Sequence, residues 1–111
     1  MDSLASANAE LWTELWLSLA SLLGSYTAAH GLHGNREAAI EWDDVQITAR
    51  HGEKWLNLRR EFSRVAWMRE NGSSGVLELT EAGRLRDAGA GSASEEEMDM
   101  VAESWARELM R

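Results

Sequence analysis

The sequence predicts an α+β fold: a long N-terminal helix, an antiparallel meander of about four strands, and a C-terminal helix packed on the sheet. Three observations carry that expectation. Apolar residues recur at helical spacing over roughly residues 3–30, and from Ala38 the period shortens to two. Helical spacing then returns after the Ala/Gly/Ser-rich stretch 88–93, which reads as a linker. With 111 residues, the chain is read as a single domain, since the commonest domain size is about 100–150 residues.

In the first helix, residues 1–30 in outline, Leu4, Leu11, Leu15, Leu22 and Ala29 share one face, and Trp12, Trp16, Leu19, Leu23 and Tyr26 form an adjacent stripe. Together they are wider than one core-facing stripe, so the helix is expected to be covered on two sides, by its own domain and by a second chain. A homodimer is the simplest cover, because a two-fold axis satisfies the same patch twice. Leu11, Trp12, Leu15, Trp16, Leu19 and Leu23 are the candidate interface residues. The glycines of His30-Gly31-Leu32-His33-Gly34-Asn35 end the helix.

The sheet is expected over 38–80. Ile40 and Trp42 flank Glu41, and Val45, Ile47 and Ala49 alternate with Gln46 and Thr48, with Asp43-Asp44 a bulge or tight turn between them. Leu56 and Leu58, then Val65 and Trp67, continue the alternation. Across 52–68, however, Trp55, Leu58, Phe62 and Val65 also fit a helix. Asn71 to Gly75 is the clearest hairpin loop, Val76–Thr80 the last strand, and Thr80–Ala88 a short helix. Ser94 with Glu97 forms a capping box opening the C-terminal helix, 94–110, whose apolar stripe is Val101, Ala102, Trp105 and Leu109.

Composition narrows the function classes. The formal net charge of −8 disfavours nucleic acid and anionic lipid as partners. That charge belongs to the ends: residues 1–43 carry −5, 44–87 carry +1 and 88–111 carry −4. Without Cys there is no disulfide framework, thiolate nucleophile or Cys zinc site, and without Pro no PxxP ligand. Leu, Ile, Val and Phe are few, so the six Trp are expected to build the core and its seams. No basic residue precedes Arg36 and the apolar run Leu15–Leu23 is too short to span a bilayer, so a cytoplasmic protein is expected, with no membrane partner.

The chemistry-bearing residues are sparse. His30 and His33 are weak metal candidates near Glu37 and Glu41, with a helix-terminus role the stronger reading. Glu41, Asp43 and Asp44 lie close in sequence to His51, but strand alternation turns Asp44 away from the other two, which favours a solvated edge. The serines carry no nucleophile motif, and Glu95–Glu97 would repel a phosphate from the helix after Gly89-Ala90-Gly91-Ser92. Arg59, Arg60, Arg64 and Arg69 with Trp55, Phe62 and Trp67 have the composition of a single-strand-binding face, while the interspersed Glu53, Glu61 and Glu70 suit cross-strand ion pairing.

The run Val76-Leu77-Glu78-Leu79-Thr80-Glu81-Ala82-Gly83-Arg84 resembles the wing strand and following helix start of MarR- and PadR-like winged-helix regulators. The resemblance implies a wing hairpin over Arg69–Thr80 and a recognition helix from about Gly52 to Arg64. The leading expectation is nonetheless a small acidic interaction or adaptor protein, non-enzymatic, homodimeric and binding a protein partner. A winged-helix-like regulator is the alternative. A small enzyme or ligand-binding domain using His30, His33 or His51 with nearby carboxylates is the third reading. No cofactor and no catalytic residue is expected.

Overall fold

The computed structural model describes residues 2–32, 37–87 and 95–111, with side chains from residue 9 onward. Helix α1 (Asp2–Gly31) is followed by strands β1 (Ala39–Trp42), β2 (Gln46–His51), β3 (Lys54–Glu61), β4 (Arg64–Arg69), β5 (Ser74–Leu79), β6 (Arg84–Asp87) and β7 (Glu95–Glu97), then helix α2 (Met98–Leu109). The strands form one antiparallel sheet in the order β1-β2-β3-β4-β5-β6-β7. Both helices pack on the same face of it. This is the α+β architecture expected, with seven strands among the described residues rather than about four.

The extra strands come from three segments. Over 52–68 the period of two prevails, because Leu56, Leu58 and Val65 point together into the core. The 3–4 spacing of Trp55, Leu58, Phe62 and Val65 is coincidental: Leu58 and Val65 face the helices, Trp55 the opposite side, and Phe62 a turn. A strand hairpin here removes the recognition helix that the winged-helix resemblance required. Thr80–Gly83 is a turn rather than the start of a helix; its segment holds a single large apolar residue, Leu85, which pairs with Leu79 across the strands. Glu95–Glu97 extend beside β6 instead of entering the last helix, with Glu97 and Glu95 drawn to Arg84 at 3.0 and 3.8 Å. Glu97 is itself the N-cap of α2 and makes no side-chain cap bond; Ser94, its expected capping-box partner, lies outside the described residues, as does the expected linker, 88–93.

The core lies between sheet and helices. Trp16, Leu19 and Leu23 of α1 and Val101, Ala102 and Leu109 of α2 meet Ile47, Ala49, Leu56, Leu58, Val65, Leu79 and Leu85. Trp16 is fully buried, and its indole Nε1–H donates to the Asp43 carbonyl at 2.7 Å. The Arg60 guanidinium carbon stands 5.8 Å from the same ring centroid, within cation–π range, and its Nε and Nη2 donate to the Asp44 carbonyl. These bonds tie α1 to the β1–β2 turn. At the other end, the Lys54 Nζ donates to the carbonyls of Glu108 and Arg111, placing a cation on the negative end of α2. Trp67 spans the layers: its ring centroid is 6.4 Å from that of Trp105, and a Cβ added at Gly75, its cross-strand partner, would lie 2.7 Å from the indole nitrogen.

Two hairpin turns contrast. Gly52 opens the β2–β3 loop at φ 62, where a two-residue loop needs glycine, whereas Phe62 takes φ 55 in the β3–β4 loop with its ring 74% exposed. Trp16→Ala is expected to lower unfolding free energy by about 3–5 kcal/mol in urea titration, from the cavity and the lost bond together. Phe62→Gly is expected to raise it by about 1 kcal/mol by relieving the left-handed backbone. Gly75→Ala is expected to cost about 1–3 kcal/mol, because the added Cβ would force a shift of the Trp67 ring, which packs against Trp105.

Candidate functional site

Period-two alternation gives every strand a second face, and no described element covers it. On that open face stand Gln46, Thr48 and Arg50 of β2, Trp55, Asn57 and Arg59 of β3, and Ala66 and Met68 of β4, lining a trough of about 780 Å³. A second hollow of about 470 Å³ continues it past Arg59 to Arg64 and Val76. At the floor, Asn57 Nδ2 and Gln46 Nε2 donate to the Thr48 hydroxyl at 2.9 and 3.3 Å. Met68 and Val76 are 51% and 40% exposed, so the trough is edged by apolar side chains that water covers in the single chain.

The charges on this face divide into two kinds. Toward one edge they alternate across the strands: Glu61 opposes Arg64, Arg64 opposes Glu78, Glu78 opposes Arg86, and Arg86 opposes Glu95. Arg86 bonds Glu78 at 3.1 Å, so this ladder neutralises itself. Arg50 and Arg59, at opposite ends of the trough with the Thr48–Asn57 pair between them, have no carboxylate within 4 Å among the described residues.

The residues singled out from sequence are distributed rather than gathered. Of the six candidate interface residues, Trp16, Leu19 and Leu23 are 0%, 0% and 1% exposed in the chain's own core, while Leu11, Trp12 and Leu15 are half-buried. Those three side chains lie in the core that α1 shares with α2 and the sheet. The basic–aromatic group splits, with Trp55, Arg59 and Arg64 on the open face and Arg60, Trp67 and Arg69 on the helix side. Arg60 bonds backbone carbonyls and Arg69 lies 3.7 Å from Glu108.

The histidines do not converge either. His30 Nε2 lies 3.7 Å from Glu103 Oε2 on α2, His51 Nδ1 meets the Glu37 carbonyl at 3.2 Å, and His33 is outside the described residues. Asp43 Oδ1 accepts the backbone N–H groups of Val45 and Gln46 and shapes the turn, while Glu41 points to the open face. Among the described residues no three His, Asp or Glu side chains are placed to share a metal ion, and no helix is long and apolar enough to cross a membrane. Sequence reading missed Gln46, Thr48, Arg50 and Asn57 as a set; their signal was the polar half of each alternating strand.

Comparison with protein families, with characterised proteins and with solved structures finds no match to this chain. The site is therefore interpreted from its own chemistry. Because the ladder cancels most of the charge of this face, an oligo-dT strand is expected to bind more weakly than about 100 μM at physiological salt, checked by fluorescence anisotropy.

Proposed function

We propose that the chain is a non-enzymatic interaction protein that acts as a homodimer and holds a protein partner on the open face of its sheet. The observation that carries this reading is the trough across β2–β4, where the apolar side chains of Met68 and Trp55 stand with two arginines that have no carboxylate within 4 Å among the described residues. Apolar anchors beside arginine are the composition of protein-binding hot spots. The polar floor of Thr48, Asn57 and Gln46 supplies hydrogen-bonding groups that give a docked segment its register. An acid–base or metal-dependent reaction has less support, since His30 faces Glu103 and His51 faces the Glu37 carbonyl, so the two rings are committed to different neighbours.

The sequence-derived argument for self-association keeps its force through other residues. With Trp16, Leu19 and Leu23 inside, the exposed large apolar residues away from the trough include Leu17, Leu32, Trp42, Val45, Phe62 and Met100. The test is affinity isolation followed by reconstitution of the purified partner in calorimetry. Met68→Asp is expected to weaken that complex at least tenfold, about 1.4 kcal/mol, with the circular dichroism spectrum unchanged. A partner indifferent to Met68→Asp and Trp55→Ala would place binding elsewhere.

A further inference from the structure

The two edges of the sheet are built differently. β7 presents Glu95, Glu96 and Glu97, charges that deter another strand. β1 presents Ala39, Ile40, Glu41 and Trp42, with one charge, no Pro and no Lys. The Asp43 N–H donates to the Gln46 carbonyl, so in the β1–β2 ladder the backbone groups of Glu41 and Ala39 turn toward β2. Those of Ile40 and Trp42, and of Ala38 before them, turn outward. Beside this edge a groove of about 330 Å³ lies between α1 and β1, lined by the small residues Gly24, Ala28, Gly31 and Ala38. A Cβ placed at Gly24 would meet nothing within 4 Å. Two residues along the strand from Ile40, on the same side of the sheet, Trp42 is 54% exposed.

We infer that β1 pairs antiparallel with β1 of a second copy about a two-fold axis through Ile40, so that Trp42 of each chain fills the groove of the other. This rests on the homodimer reading and places its interface. The register follows from the spacing: with Ile40 opposite the partner's Ile40, Trp42 falls opposite the partner's Ala38, which lines the groove. Paired residues of antiparallel strands share a face, so the indole enters on the helix side, where the groove is. On the other face Glu41 falls opposite the partner's Ala39, which avoids a direct like-charge contact. Glu37 opposite the partner's Asp43 is the one unfavourable pair, and both are exposed to solvent screening. Knob and hole occur at equal offsets from a single residue, as a closed two-fold contact requires, and this self-complementarity favours a second copy over a foreign strand. The join makes one sheet of twice seven strands and leaves both troughs open.

The purified chain is expected to sediment at twice 12.4 kDa at micromolar concentration. Trp42→Ala, which empties the groove, and Ala28→Leu, which fills it from an exposed helix position, are each expected to raise the dimer dissociation constant at least tenfold without changing the circular dichroism spectrum. Ile40→Cys supplies a third readout, because the natural chain has no Cys. Across the axis the two α-carbons stand about 5.5 Å apart, and a short bis-maleimide is expected to join them, with Asp44→Cys as the unlinked control. A monomer at all concentrations overturns both the homodimer reading and this interface. A dimer that ignores Trp42→Ala and Ala28→Leu, or that Ile40→Cys fails to link, overturns the interface alone.

Discussion

The fold depends on the seating of Trp16. Its indole is the largest fully buried side chain, and the one polar atom it carries must find a partner inside. The Asp43 carbonyl provides that partner because Asp43 Oδ1 simultaneously caps the turn, holding the carbonyl in place while accepting from Val45 and Gln46. Arg60 closes the arrangement from β3, with its guanidinium against the ring and its donors on the Asp44 carbonyl. Helix α1 is thereby keyed to the first two hairpins at a single point. Its position along the sheet determines where Leu19 and Leu23 fall, and with them where α2 can pack.

The opposite end of the molecule is held by a different device. Trp67 leans over Gly75 on its own sheet and meets Trp105 of α2, so a large ring bridges the layers beside a position that carries no side chain. Lys54 and Arg69 then reach the last turn of α2 at Glu108 and the terminal carbonyls. Sheet and helices are thus joined by tryptophans at both ends, which is how a chain poor in Leu, Ile, Val and Phe closes a core. The basic residues of the middle zone divide their labour accordingly: those on the helix side secure the packing, and those on the open face either form the alternating ladder or flank the trough.

A seven-stranded meander with helices on one side leaves two kinds of surface uncovered, a face and two edges. Both arise from the same alternation that buries Ile47, Ala49, Leu56 and Leu58. Each residue that points inward leaves a neighbour pointing out, and on β2–β4 those neighbours are polar or amphipathic instead of uniformly charged. At the edges, β7 carries three glutamates and β1 an isoleucine and a tryptophan, an asymmetry that is not required by the core.

Much of this was legible in the chain. Helical spacing from Leu11 to Leu23, alternation from Ile40 to Ala49, and the Asn71-Gly72 turn are local patterns, and local patterns survive into the structure because each is set by backbone geometry within a few residues. Ambiguity arose where two periods coincided, at Trp55, Leu58, Phe62 and Val65, and was resolved only by neighbouring strands supplying ladder partners. Glu97, expected inside the last helix, pairs instead with Arg84, a partner distant in sequence. The trough residues Arg50, Asn57 and Arg59 were visible singly as polar strand positions, but their association depends on the registers of β2, β3 and β4. Sequence by itself determined the fold class, the charge zones and the helix faces. Tertiary structure decided the strand count, the burial of Trp16, Leu19 and Leu23, and the open face, because hydrogen bonding between strands and the area of a sheet are properties of residues far apart in the chain.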